Sequence, residues 1–283
     1  MSDENKVSES INAVTGLVKA VPIYQDLAQP AAKELGTGLG HAVHFALKRI
    51  GYLAYGWEHV EVFLWRKLME KLSNVPPGDV VAPPPNVAGP LIDLVRFSGG
   101  DESLCDMYAN LLATAMDSKT AHTAHPAFVE IIRQLTPDEA RIISTFSRER
   151  FFPVITIRTG PKSNPLSEET TILKDFSLIG EDAGCQHPSN TRLYLDNICR
   201  LGLAEIQGAF YTAPGIYDRV ESDARVVELM AAVPEGGTLM LHIRRKMLAM
   251  TELGLAFANA CVAPHGRPLA EGEAFSLGYY MYQ

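Results

Sequence analysis

Thr136-Pro137-Asp138-Glu139-Ala140-Arg141-Ile142-Ile143-Ser144-Thr145-Phe146-Ser147-Arg148-Glu149-Arg150-Phe151-Phe152-Pro153-Val154-Ile155-Thr156-Ile157 decides the reading of the fold, because the chain changes character within it. Thr136 through Glu139 form a capping box with proline in the first turn. The threonine hydroxyl is placed to accept from the Glu139 backbone N–H, and the Glu139 carboxylate reaches back to the Thr136 N–H. This predicts a helix running to about Arg150. After Phe151 the run Val154–Ile157 is β-branched at every position, which predicts a strand. The chain before this junction reads as helices, and the chain after it alternates helix with strand.

Upstream, Leu104, Met107, Tyr108, Leu111, Leu112 and Ala115 recur at helical spacing and predict a helix over residues 101–117, with Asp101 and Glu102 at its positive end. Pro126 at a first helical position opens a helix to about Leu135, with Phe128, Ile132 and Leu135 inward. Six of the chain's 18 prolines lie between Ser73 and Pro90. They predict an extended strap, with Val80, Val81 and Val87 available for burial. Trp57, Val60, Leu64, Leu68 and Leu72 form the stripe of a helix, and Val62, Trp65 and Met69 form a second stripe, as in a helix buried between neighbours. From Ala31 a helical stretch carries Gly36, Gly38, Gly40, Gly51 and Gly56, each costing about 1 kcal/mol in a helix interior. Gly36-x-x-x-Gly40 and Ala42-x-x-x-Ala46 suit close packing between helices.

Downstream, residues 159–171 read as a polar loop and residues 189–201 as a helix capped by Ser189. Residues 203–206 read as a strand, 224–232 as a helix, 240–251 as a strand and 252–262 as a closing helix. The alternation resembles a winged-helix module in which 189–201 takes the place of the recognition helix. The expected fold is therefore mainly α: a mobile segment over 1–20, a helical bundle over 21–135 with its strap at 73–90, an α+β winged-helix-like module over 136–264, and a tail over 265–283.

The chain of 283 residues is 47% hydrophobic and 20% charged, an ordinary globular balance, with a net charge of −8. Residues 1–135 hold 11 Lys+Arg and 15 Asp+Glu, and the remainder hold 14 and 18, so each half carries −4. Even acidity argues against a general nucleic-acid scaffold. Cys105, Cys185, Cys199 and Cys261 share no metal-like spacing and read as reduced and mostly buried. The acidic start, Met1 to Ser10, lacks a signal peptide's basic and apolar regions, which predicts a cytoplasmic protein. Leu35 to Trp57 is the best candidate for a membrane span, but Lys48 and Arg49 near its centre would cost about 5–7 kcal/mol. A spanning helix is not expected, and a peripheral contact of the glycine-rich helices with a membrane stays open.

No motif for phosphate cradling, zinc hydrolysis or an activated serine is present. Asp117, His122, His125 and Glu130 cluster around one loop and include the residue types of a zinc or manganese site. Capping of the flanking helices is the stronger reading of Asp117, which ends one helix, and His125, which starts the next. His41 and His44 share a helical face without an acidic or thiolate neighbour. Arg192, Asp196 and Arg200 fall at i, i+4 and i+8 on one face of 189–201. Asp196 in mid-face suits bridging of the two arginines better than reading of bases. Arg244, Arg245 and Lys246 form a short basic run able to touch phosphates. These six residues are the candidate interaction surface.

Four stretches together resemble the abortive infection alpha family of bacteria. They are Pro22-Ile23-Tyr24-Gln25-Asp26-Leu27-Ala28-Gln29-Pro30-Ala31-Ala32-Lys33-Glu34-Leu35-Gly36; Leu111 through Asp117, with Met116 preceding the acid; His125-Pro126 through Leu135, leading into Thr136–Ala140; and Leu201-Gly202-Leu203 with Thr251 through Cys261. The motif positions singled out are Tyr24, Asp26, Gln29, Pro30, Lys33, Glu34, Met116, Asp117, His125 and Pro126. The resemblance implies a helical protein tied to defence against phage, and it brings no catalytic residues with it. The expected function is a non-enzymatic defence protein acting through a protein partner or self-association, without metal, small-molecule cofactor or sequence-specific nucleic acid. The rivals are a membrane-perturbing effector using helices 31–72, a DNA-binding regulator using 189–201, and a metal hydrolase at Asp117/His122/His125.

Overall fold

The computed structural model describes residues 38–48, 66–97, 102–147, 151–161, 169–208, 210–211, 214–232, 239–265 and 277–278. The 1–20 segment, the motif residues Tyr24, Asp26, Gln29, Pro30, Lys33 and Glu34, and the Trp57–Trp65 part of the expected second helix lie outside these residues. The chain divides into two compact units. One comprises 1–100, 105–129 and 264–266; the other comprises 101–104, 130–263 and 267–283.

The first unit holds α1 (Gly38–Lys48), a helical stretch over 66–71, and α2 (Pro85–Phe97). Most of α3 (Glu102–Met116) also belongs to it. No charged residue stands between Asp106 and Asp117, and the helix is buried on every side from Met107 to Met116. Such a helix belongs at the centre of a core rather than on a surface. Leu68, Leu72, Val87, Leu91, Leu111 and Leu112 are fully buried in this unit, and Phe128 nearly so. The proline-rich stretch departs from the expected extended form at both ends, with a 3-10 turn over Pro77–Asp79 and helix from Pro85. Residues 85–90 are helical, because Pro85 takes the first turn of α2, where its missing N–H costs nothing, and Pro84 O accepts from the N–H groups of Val87 and Ala88. Ahead of them, Val80 bridges Asp117, Val81 N–H donates to Met116 O, and Ser118 N–H donates to Asp79 O.

The chain continues through α4 (Ala127–Arg133) and α5 (Pro137–Thr145). The capping box on α5 is complete, with Thr136 and Glu139 exchanging both bonds. The helix stops at Thr145, short of the expected Arg150.

The second unit overturns the mainly α expectation. It is built on a four-stranded antiparallel sheet in the order β2-β1-β5-β3, so the class is mixed α+β. The strands are β1 (Phe151–Pro161), β2 (Thr170–Phe176), β3 (Ala204–Gln207) and β5 (Leu239–Met250); β4 (Phe210–Tyr211) pairs with β6 (Leu277–Gly278). β1 and β5 pair residue for residue from Phe151↔Ala249 to Pro161↔Leu239. β1 outruns its β-branched stretch because β5 offers a partner along its whole length. Part of the expected loop 159–171 is strand on both sides of a hairpin. Among the described residues the unit holds the end of α4, α5, α6 (Ile179–Asp182), α7 (Thr191–Arg200), α8 (Asp218–Glu221), α9 (Ala224–Ala231) and α10 (Glu252–Cys261). Ser189 does not cap α7. A 3-10 turn over Pro188–Asn190 leads in, and the Thr191 hydroxyl donates to Pro188 O at 2.6 Å.

One sheet face carries Ile155, Ile157, Met247 and Ala249 against Tyr217, Val220 and Val226 of α8, α9 and the residue before them. On the other face Phe152 meets Phe146 edge-on at 4.9 Å.

Candidate functional site

Asp138 ties the second unit together. It sits in the first turn of α5, buried, and accepts from Gln186 N–H at 2.8 Å, His187 N–H at 3.0 Å, the Tyr194 hydroxyl at 2.9 Å and Arg141 at 2.6 Å. Burial by itself would raise its pKa. The two backbone N–H bonds, then Tyr194 and Arg141, outweigh that and hold the carboxyl down to about 2. Neighbouring Glu139 also accepts from Asn197 Nδ2 at 2.9 Å, so the capping box fastens α7 as well as starting α5. A second clasp joins both parts of one family stretch. Thr251 caps α10, its hydroxyl donates to Gly202 O, and its N–H donates to Leu203 O. Gly254 lies so close to Leu203 that an added Cβ would stand 1.8 Å from the Leu203 carbonyl oxygen.

Charged side chains concentrate on the sheet face that does not carry Ile155 and Ile157. Strand alternation puts Thr156 and Arg158 of β1 there, beside His242, Arg244 and Lys246 of β5. Glu169 is at the centre, its side chain 6% exposed. Its Oε1 lies 2.9 Å from His242 Nε2 and 2.8 Å from Arg244, and its Oε2 pairs with Arg158. The Arg244 hydrogen bond, working against burial and helped by the Arg158 charge, holds the Glu169 carboxyl below its ordinary pKa. Alongside, buried Asp175 accepts from Lys246 at 2.8 Å and from the Thr156 hydroxyl at 3.0 Å. Arg245 points the opposite way, pairs with Glu221 and lies over the Tyr217 ring. The basic run is thus divided between two faces by strand alternation.

On α7, Arg192, Leu193, Asp196 and Arg200 face outward, with Leu193 65% exposed. Asp196 meets Arg192 at 3.5 Å. It does not bridge both arginines as expected, since Arg200 donates to Asn197 Oδ1 and Gln134 Oε1. Arg192 approaches Lys174 O at 3.4 Å, next to the charged sheet face.

The residues of the metal candidate do not converge. Asp117 is buried, with one oxygen accepting from Lys119 N–H and the other 3.0 Å from His265 Nε2. His122, His125 and Glu130 are exposed. His125 Nδ1 accepts from Ala127 N–H, capping the helix that Pro126 leads into, and Glu130 pairs with Arg133. Among the described residues no group of three or more His, Cys, Asp or Glu is placed to hold a metal ion, and no helix is long and apolar enough to cross a membrane. Burial pushes the Cys185 and Cys199 thiols up to about 11, which keeps both protonated at neutral pH. Asp138, Glu169, Asp175 and His265 were not singled out by sequence reasoning. Only Asp138 had a signal, its place inside the capping box.

No curated protein matches the chain. A solved structure of an uncharacterised protein from the hydrocarbon-degrading marine bacterium Alcanivorax borkumensis SK2 is 24% identical, covering 50% of this chain and 92% of its own, with a TM-score of 0.32. The family model for abortive infection alpha matches residues 57–261, which contain Asp117, the Thr136–Glu139 box and the Gly202/Thr251 clasp. The chain belongs to the abortive infection alpha family.

Proposed function

We propose that this protein serves in abortive infection, the bacterial defence against phage, without catalysis, by protein interaction or oligomerisation through its second unit. The observation that supports the reading is the outward side of α7, where Leu193 is 65% exposed between charged residues, beside a half-buried field of paired charges. An apolar centre with a charged surround is the usual make-up of a protein-binding surface. Asp138 and Thr251 are taken up in structural clasps, whereas the outer side of α7 presents its side chains to solvent.

The test is a phage challenge of cells carrying the wild type or Leu193→Glu. Leu193 contacts water, so the substitution should leave the melting temperature within about 2 °C. Loss of protection at unchanged stability and abundance is the expected result. Full protection by the variant would refute a role for this surface.

A further inference from the structure

The second unit carries opposite charge on its two sides. On the sheet side, Lys174 and Arg192 have side chains 54% and 44% exposed. Arg158, Arg244 and Lys246 lie partly exposed above Glu169 and Asp175, whose side chains are only 6% and 9% exposed. With Asp196 included, five cations stand against three carboxylates, two of them nearly buried, which leaves two cations in excess among the described residues. On the opposite side α6, α8 and α9 present Glu181, Asp182, Asp218, Glu221, Asp223 and Glu228. Arg219, Arg225 and Arg245 answer these in ion pairs, which leaves three carboxylates in excess among the described residues. The strand itself makes the sides opposite, since Arg244 and Lys246 leave one face and Arg245 the other. Each side also has an exposed apolar residue, Leu193 beside Arg192 and Val227, 51% exposed, beside Glu228.

We infer that copies of this chain associate head to tail, the basic sheet side of one second unit seating on the acidic helical side of the next. The inference rests on the self-association arm of the proposed function. The occupant follows from charge. The acidic side of a second copy, with three carboxylates in excess among the described residues, answers the two cations in excess on the basic side. Two identical sides set face to face would repel, so a two-fold dimer through either side is disfavoured. A contact between unlike sides leaves a free side at each end, and assembly continues until it closes into a ring or grows as a filament. Because most of these charges are solvent-exposed, salt screens the attraction: the Debye length falls from more than 10 Å below 0.1 M salt to a few Å near 1 M.

The test is sedimentation velocity on the full chain. Wild type should sediment faster as concentration rises at about 50 mM salt, and its association should weaken at least roughly tenfold at about 500 mM. Lys174→Glu/Arg192→Glu spoils the basic side, and Asp218→Lys/Glu228→Lys spoils the acidic side. Each double variant alone should stay monomeric. In their equimolar mixture the unaltered basic side of one variant meets the unaltered acidic side of the other, and the two reversed sides again carry opposite charge, so association should return. All four positions are exposed, and circular dichroism checks the fold; Ser replacements serve if a charge reversal fails to fold. A monomeric wild type at low salt, self-association by either variant, an unreactive mixture, or tight binding of a single-stranded DNA oligonucleotide abolished by Lys174→Glu/Arg192→Glu would each overturn the inference. A monomeric wild type whose Leu193→Glu variant still loses protection would sink self-association alone and leave the protein-partner reading standing.

Discussion

Removing the Asp138 carboxylate should destabilise the second unit more than any other single polar change there. In Asp138→Ala two backbone N–H groups, Gln186 and His187, and the Tyr194 hydroxyl lose this acceptor, and Arg141 loses its bond to the carboxylate. Each stranded buried donor costs about 1 kcal/mol or more, and breaking a buried charged network costs about 3–5 kcal/mol in all. Unfolding entropy for a domain of this size converts that into a fall of roughly 10 °C in Tm. Tyr194→Phe removes one donor only and should cost about 1 kcal/mol. The sign of the pH dependence follows from the direction of the shift. The folded carboxyl titrates near 2, below its unfolded value, so its contribution is complete above the unfolded pKa and is lost as pH falls through the folded one. Thermal melts of wild type and Asp138→Asn between pH 6 and pH 2 should therefore converge toward acid. A Tm for Asp138→Ala within about 2 °C of wild type at pH 7, or a stability gap that stays constant down to pH 2, would refute the network.

Three further outcomes are expected. Leu111→Ala should cost about 2–5 kcal/mol by thermal or urea melting, since Leu111 is fully buried, whereas half-buried Leu104 should tolerate the same change better. Gly254→Ala should lower Tm with no single-site rescue, because its Cβ meets the Leu203 backbone; Gly180→Ala meets the Thr191 hydroxyl at 1.9 Å and should be partly restored by Thr191→Ala. Gel shifts at physiological salt should show no submicromolar sequence-specific DNA binding, because Arg192 is engaged with Asp196 and Arg200 with Asn197 and Gln134; specific binding lost in Arg192→Ala would contradict this.

The parts of the fold legible in the sequence are those fixed by local chemistry. The capping box at Thr136–Glu139 appears with both bonds made, because its partners are three residues apart and need nothing from elsewhere. The helix at 102–116 shows in its periodicity, though its full burial does not, since a stripe of leucines looks the same with or without neighbours on the other side. The sheet is underestimated in the sequence because β2 and the outer end of β1 fall in or beside the stretch that reads as a polar loop, whereas β5 reads as a strand over 240–251. β5 contains one β-branched residue, Ile243, in twelve, and pairs with β1 over eleven residues of its length. The charged site was hidden more deeply. Arg244, Arg245 and Lys246 look like one basic patch along the chain, but a two-residue period sends the middle one to the far side. Glu169, which gathers Arg158, His242 and Arg244, stands 73 residues before His242 in the chain. Nothing near Glu169 in sequence marks it, since its role exists only once β1 and β5 are paired. A basic run in a strand is therefore evidence about two surfaces, and its charge has to be assigned residue by residue after the register is known. Here that assignment separates the positive side from the negative one.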